Sequence, residues 1–113
     1  MPYINVKTNS EKVKDVKEAL KAELGSAITE IRGKSEAWLM VNIDEPSAMY
    51  FKGNSAPCAM FEVSIFGSAS APEYEDLTKR LCKIAEDYLG VDASRTYVKY
   101  YETTRWGWNN MNF

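Results

Sequence analysis

The chain opens MPYINV and contains no histidine. Histidine is the one side chain that ordinarily titrates near neutrality, so proton transfer at pH 7 falls to another group. Pro2 is the candidate. An initiator methionine is removed when the next residue is small, and proline qualifies, so processing would give Pro2 a free secondary amine. An α-amino group titrates at about 7.7–8.0, below any lysine. Burial or a nearby cation lowers that value further. An uncharged nitrogen of this kind takes a proton from a carbon next to a carbonyl. The dipeptide MP by itself fits equally a rigid chain end or a processing signal.

The missing histidine also excludes histidine-based triads, HExxH metalloproteases and histidine-ligated zinc. Two cysteines, Cys58 and Cys82, cannot make a cysteine-only zinc site, and their spacing matches no redox motif, so they read as buried thiols. GxGxxG, GxxxxGK[ST] and GxSxG are absent. A net charge of −2, with acids and bases interleaved, provides no basic stripe and argues against nucleic-acid binding. No apolar run approaches the roughly 18 residues of a membrane helix. The start lacks a basic and apolar leader, so a cytoplasmic protein is expected, with any release by a non-classical route.

A single domain over 1–113 must position these groups. Residues 2–8 read as a strand, followed by a helix over 9–33. Its apolar positions are Val13, Val16, Leu20, Leu24, Ala27 or Ile28, and Ile31, spaced for one buried stripe. Gly25 interrupts it at a cost of roughly 1 kcal/mol relative to alanine, and Gly33 ends it. Residues 36–44 and 58–66 read as apolar strands, 72–90 as a second helix, and 94–103 as a last strand. The second helix has Tyr74, Leu77, Leu81, Ile84 or Ala85, and Tyr88 on one face. Adding 61 to Val13, Val16 and Leu20 gives Tyr74, Leu77 and Leu81.

Each helix lies between two strands, so the chain reads as two βαβ pseudo-repeats, about 2–55 and 56–113. Right-handed crossovers make each a parallel pair. The expected fold is α/β in composition: an α+β two-layer sandwich, a four-stranded mixed sheet with two helices on one face. Three strands look apolar at both parities, which predicts that a second copy covers the other face.

The opening MP and YINVKTN, GK at 33–34, SAPCA at 55–59, Gly67, RTYVKYY at 95–101 and GWNNMNF at 107–113 occur together in order. With the βαβ duplication beneath them, the chain resembles the macrophage migration inhibitory factor family, tautomerases with an N-terminal catalytic proline. The resemblance covers essentially the whole length. It implies a homotrimer whose sheets line a central channel, and keto–enol tautomerisation of phenylpyruvate-type α-keto acids and of D-dopachrome, without cofactor or metal. It also implies release as a cytokine-like protein with a cell-surface receptor.

By the same resemblance, Pro2 is the catalytic base and Lys34 binds the substrate carboxylate or the developing oxyanion. The family follows this lysine with proline, where Ser35 stands here. Phe66 takes the place of an isoleucine whose backbone N–H binds substrate, with Ile65 as the alternative. Tyr97 matches a tyrosine supplied by the neighbouring subunit. Lys99 stands where asparagine is common, adding a second cation. Trp108 matches a pocket residue, and Trp38, Trp106, Tyr3 and Phe113 fall near the rim, a lining suited to an aryl group. Cys58 is followed three positions later by Phe61, so the dithiol of some members is missing.

Overall fold

The computed structural model describes residues 1–113. Strand β1 (Pro2–Thr8) leads into a 3-10 stretch, Glu11–Asp15, capped by the Ser10 hydroxyl, which accepts the Lys12 N–H. Helix α1 occupies only Lys17–Ala27, and a further 3-10 turn covers Ile28–Glu30. The continuous helix expected over 9–33 breaks at Val16 (φ −126°, ψ 15°). This β-branched residue has low helix propensity, and its N–H bonds back to the Val13 carbonyl. The apolar stripe survives the break. Val13, Leu20, Leu24, Ala27, Ile28 and Ile31 are buried, and Val16 packs against their edge.

Strand β2 is Met40–Ile43, shorter than the 36–44 expected, because Glu36–Trp38 form a 3-10 turn. Gly25 explains the turn and its own place in α1: a Cβ there would run into the Glu36 carboxylate. The glycine lets this turn lie directly on the helix.

Strand β3 (Ala59–Phe66) and α2 (Ala71–Ile84) follow. Helix α2 continues through a π-helical turn, Ala85–Leu89, and stops at left-handed Gly90. Strand β4 spans Thr96–Thr103. A final hairpin pairs β5 (Gly107–Trp108) with β6 (Met111–Asn112). Its two-residue turn puts both Asn109 (φ 51°) and Asn110 (φ 69°) in the left-handed region, as a type I′ turn needs and asparagine tolerates.

The sheet order is β2-β1-β3-β4. The β1–β2 and β3–β4 pairs are parallel, and β1–β3 is antiparallel. This is the two-layer α+β arrangement expected of two βαβ units sharing one sheet. Ile4, Val6, Ala59, Phe61, Val63 and Ile65 meet the helices in one core with Leu20, Leu24, Leu77 and Leu81. Burial of a side chain such as Phe61 contributes about 1.5–3 kcal/mol.

The other face differs from the expectation of an apolar surface. Register places Asn42, Asn5, Glu62 and Lys99 in one row across all four strands. Asn42 Nδ2 donates to Asn5 Oδ1 (2.6 Å), and Asn5 Nδ2 donates to Glu62 Oε1 (3.0 Å). The Tyr101 hydroxyl donates to Glu62 Oε2 (3.3 Å). Trp38 and Leu39, which made β2 look apolar, fall outside the strand. The open face is therefore a hydrogen-bonded polar band flanked by amphipathic Tyr3, Met40, Tyr97 and Tyr101.

Candidate functional site

The chain start, the end of β3 and the turn after α1 converge at one end of the sheet's two central strands. Pro2 is buried opposite Ile65, which itself belongs to the core. One residue on, the Phe66 N–H donates to the Met1 carbonyl (3.1 Å). Gly33 (φ 83°) turns the chain back after α1, a conformation that side-chain-bearing residues strain to adopt. Lys34 N–H then donates to the Ile31 carbonyl (3.0 Å). From this turn the Lys34 ammonium reaches across to donate to the Phe66 carbonyl (3.0 Å).

The Met1 amine, one residue before Pro2, feels this arrangement. Its pKa lies below the ordinary 8.0, first through burial and next through the Lys34 charge and a hydrogen bond with that side chain. Both disfavour the protonated amine. Pro2, Lys34 and Phe66 are thus brought together, and the N–H that meets the Met1 carbonyl is that of Phe66.

An aromatic wall stands next to them. Trp38 meets Trp108 edge to face (centroids 5.1 Å apart), and Trp108 stacks on Phe113 (6.2 Å). Phe113 also contacts Phe66 (5.8 Å). The Phe113 N–H donates to the Trp106 carbonyl (2.9 Å), which folds the tail back. Trp38, Trp108 and Phe113 are about half exposed, so their rings are open to solvent. Tyr3 lies on the open face between Met40 and Ser64, one position from Pro2.

Tyr97 and Lys99 lie elsewhere in the same chain. Their partners on β3 are Met60 and Glu62. At ~3.3 Å per residue these lie roughly 20 and 13 Å along the strand from Phe66. Tyr97 is exposed and meets Phe51 edge to face (4.9 Å), while the Lys99 ammonium lies over the Tyr101 ring (5.0 Å). Cys58 is buried, and burial, then Glu86, raises the Cys82 thiol above its usual pKa.

A residue outside the expected set also bears on the site. Ser70 and Glu73 form a capping box at the start of α2. Glu73 Oε1 accepts the Ser70 N–H (2.9 Å), and Oε2 accepts the Arg32 N–H (2.7 Å) beside Gly33. These bonds hold its pKa at about 2, from an ordinary 4.5, with the Arg32 N–H the largest cause. A depressed carboxylate supports the fold above its unfolded pKa. That support is lost as pH falls from about 4.5 through about 2. The signal in the sequence is S-x-x-E at 70–73. It marks the helix start, but not the second oxygen's partner.

A family model described as macrophage migration inhibitory factor (MIF) matches residues 1–112. The chain belongs to this family. The macrophage migration inhibitory factor of Meriones unguiculatus is 30% identical, with 100% of this chain and 99% of that protein aligned. The Brugia malayi homolog is 23% identical, with 90% and 88% aligned. The crystal structure of Leishmania major MIF2 superposes with a TM-score of 0.91 at 28% identity, covering 100% of this chain and 97% of that one. The Toxoplasma gondii protein shares the fold at a TM-score of 0.89 and 22% identity, covering 98% and 99%. The MIF-family fold is thus the one that places Pro2, Lys34 and Phe66 at a common end of the sheet.

Proposed function

We propose that this chain is a keto–enol tautomerase of aryl α-keto acids of the phenylpyruvate type and of D-dopachrome, with the Pro2 amine as its base. One observation carries the reading. The Phe66 N–H and the Lys34 ammonium converge on the chain start, where the Met1 amine is pushed toward its neutral form and where removal of Met1 would leave the Pro2 amine beside the same two groups. The Met1 carbonyl, which now accepts the Phe66 N–H, stands in for a substrate oxygen. Removal of Met1 gives Pro2 a basic nitrogen and frees that donor in the same step.

The Pro2 lone pair takes the proton from the carbon next to the keto group. The C–H electron pair becomes the new carbon–carbon double bond, and the carbonyl oxygen carries the negative charge. The Phe66 N–H and Lys34 face that charge and the substrate carboxylate, fixed in place before reaction. The Pro2 ammonium then gives its proton back to the oxygen, directly or through water, which forms the enol and restores the neutral base. Trp38, Trp108 and Phe113 hold the aryl ring, and Tyr3 lies at the rim.

Tyr97 and Lys99 enter the site from a neighbouring copy in a homotrimer. Their distance from Phe66 within one chain supports this, as does the uncovered sheet face on which they stand. Lys99 then adds a cation for the substrate carboxylate. Family membership supports cytoplasmic residence with non-classical release and a cell-surface receptor as a second role. No helix is long and apolar enough to cross a membrane.

The test is phenylpyruvate tautomerisation by the Met1-free protein, followed by enol absorbance, with sedimentation on the same sample. Saturable turnover and three times the chain mass are expected. A rate equal to buffer alone would remove the enzymatic reading, and a stable monomer would remove Tyr97 and Lys99 from the site.

A further inference from the structure

We propose that Glu73 is a positioning residue for Lys34, its carboxylate clamping the Arg32–Gly33–Lys34 turn to the first turn of α2. This rests on the reading that Lys34 and Pro2 form the active site. In an ordinary capping box one carboxylate oxygen is enough, and the other faces water. Here Oε1 takes both Ser70 bonds, N–H at 2.9 Å and hydroxyl at 2.7 Å. Oε2 is left to bind the Arg32 N–H at 2.7 Å, 41 residues away in sequence.

The clamp sits where the turn needs it. Arg80 ties down the end of α1 through the Ser26 carbonyl (3.2 Å) and Glu30 (3.3 Å), upstream of the turn. Beyond that point, the Lys34 N–H to Ile31 bond and the Glu73 bond hold the backbone. Lysine is a flexible four-carbon stem, so where its ammonium dwells depends on how firmly its Cα is held. A turn that drifts takes the ammonium away from the Phe66 carbonyl and from the chain start, where its charge lowers the pKa of the Met1 amine.

Glu73→Gln tests this. The Ser70 and Arg32 N–H groups sit on different oxygens of Glu73, and glutamine replaces one of these with an NH₂ that cannot accept, so one of the two N–H groups loses its partner. The variant's kcat/KM for phenylpyruvate is expected to fall about tenfold or more, as misplacement of a catalytic group does. Its acid limb is expected to move to higher pH, because the Lys34 charge no longer depresses the amine. Ser70→Ala is the control. It weakens the helix cap but keeps the Oε2 bond, so it lowers the melting temperature while leaving the acid limb in place. In a Lys34→Met background, Glu73→Gln is expected to have no further effect on the limb.

An unchanged limb and rate in Glu73→Gln would overturn the proposal. Equal limb shifts in Glu73→Gln and Ser70→Ala, or a further shift in the Lys34→Met background, would do the same. The Pro2 amine pKa read by nitrogen-15 NMR gives the same comparison without turnover. An inactive wild type with a raised amine pKa in Glu73→Gln would leave the clamp standing and sink the tautomerase reading alone.

Discussion

Pro2→Gly, with Met1 removal and fold confirmed, loses at least about a hundredfold in phenylpyruvate tautomerisation, the usual contribution of a positioned general base. Glycine leaves an amine at the chain start, so the loss measures what proline adds: a fixed φ and a secondary nitrogen held in one direction. Pro2 is buried opposite Ile65 in the β1–β3 ladder, so its ring is set by packing on the core side. Glycine removes that packing and lets the terminal nitrogen swing. Retention of activity within a few-fold would mean that another group takes the proton. With no histidine in the chain, the candidates would then be a lysine or a carboxylate.

Lys34→Met produces the second large effect. Loss of a fixed donor to a developing oxyanion costs about 10²–10³ in turnover. Lys34 donates to the Phe66 carbonyl and lowers the pKa of the Met1 amine, and the Pro2 amine left by processing is expected to feel the same charge, so two readouts change together. A lowered amine pKa keeps the base neutral at lower pH, so activity persists further into the acid range. Removal of the Lys34 charge raises that pKa, and the acid limb of kcat/KM moves to higher pH. It does not return fully to the free-amine value, because Pro2 is itself buried and burial, the larger cause at the Met1 amine, remains. A rate loss without a limb shift would confine Lys34 to substrate binding. A limb shift without a rate loss would confine it to the amine.

Much of the fold is legible in the sequence because the hydrophobic stripes are local signals. Val13 through Ile31 and Leu77 through Ala85 have helical spacing, and every position from Leu20 onward in the first stripe is buried. The breaks are less legible. Val16 leaves the helix although the stripe runs through it, since burial of Val13 and Leu20 fixes the faces but not the turn type between them. The 3-10 turn at Glu36–Trp38 depends on Glu36 seating over Gly25, a contact between residues eleven apart that no periodicity encodes. The open face reads as apolar because tyrosine and methionine count as hydrophobic, while the hydrogen bonds joining Asn42, Asn5 and Glu62 appear only once register is known.

The candidate site divides in the same way. Pro2 and Lys34 stand out, one by its place after the first methionine and the other by following a helix-ending glycine. Phe66 enters the candidate site through its backbone N–H, which its side chain does not signal, and only strand pairing shows where that N–H points. Glu73 is visible as a cap, and its second oxygen is not. Tyr97 and Lys99 match a motif, yet they lie far from Phe66 in the chain that bears them.

The most direct measurement compares two samples of the unmodified sequence, one with Met1 removed and one with Met1 retained, each identified by intact mass. In the retained form the Pro2 nitrogen is an amide without a basic lone pair, and the Met1 carbonyl occupies the Phe66 N–H. Turnover of phenylpyruvate by the Met1-free form, with less than about 1% of that rate in the retained form, is the result expected of an amine base. Equal rates in the two samples would show that the Pro2 nitrogen is not the base.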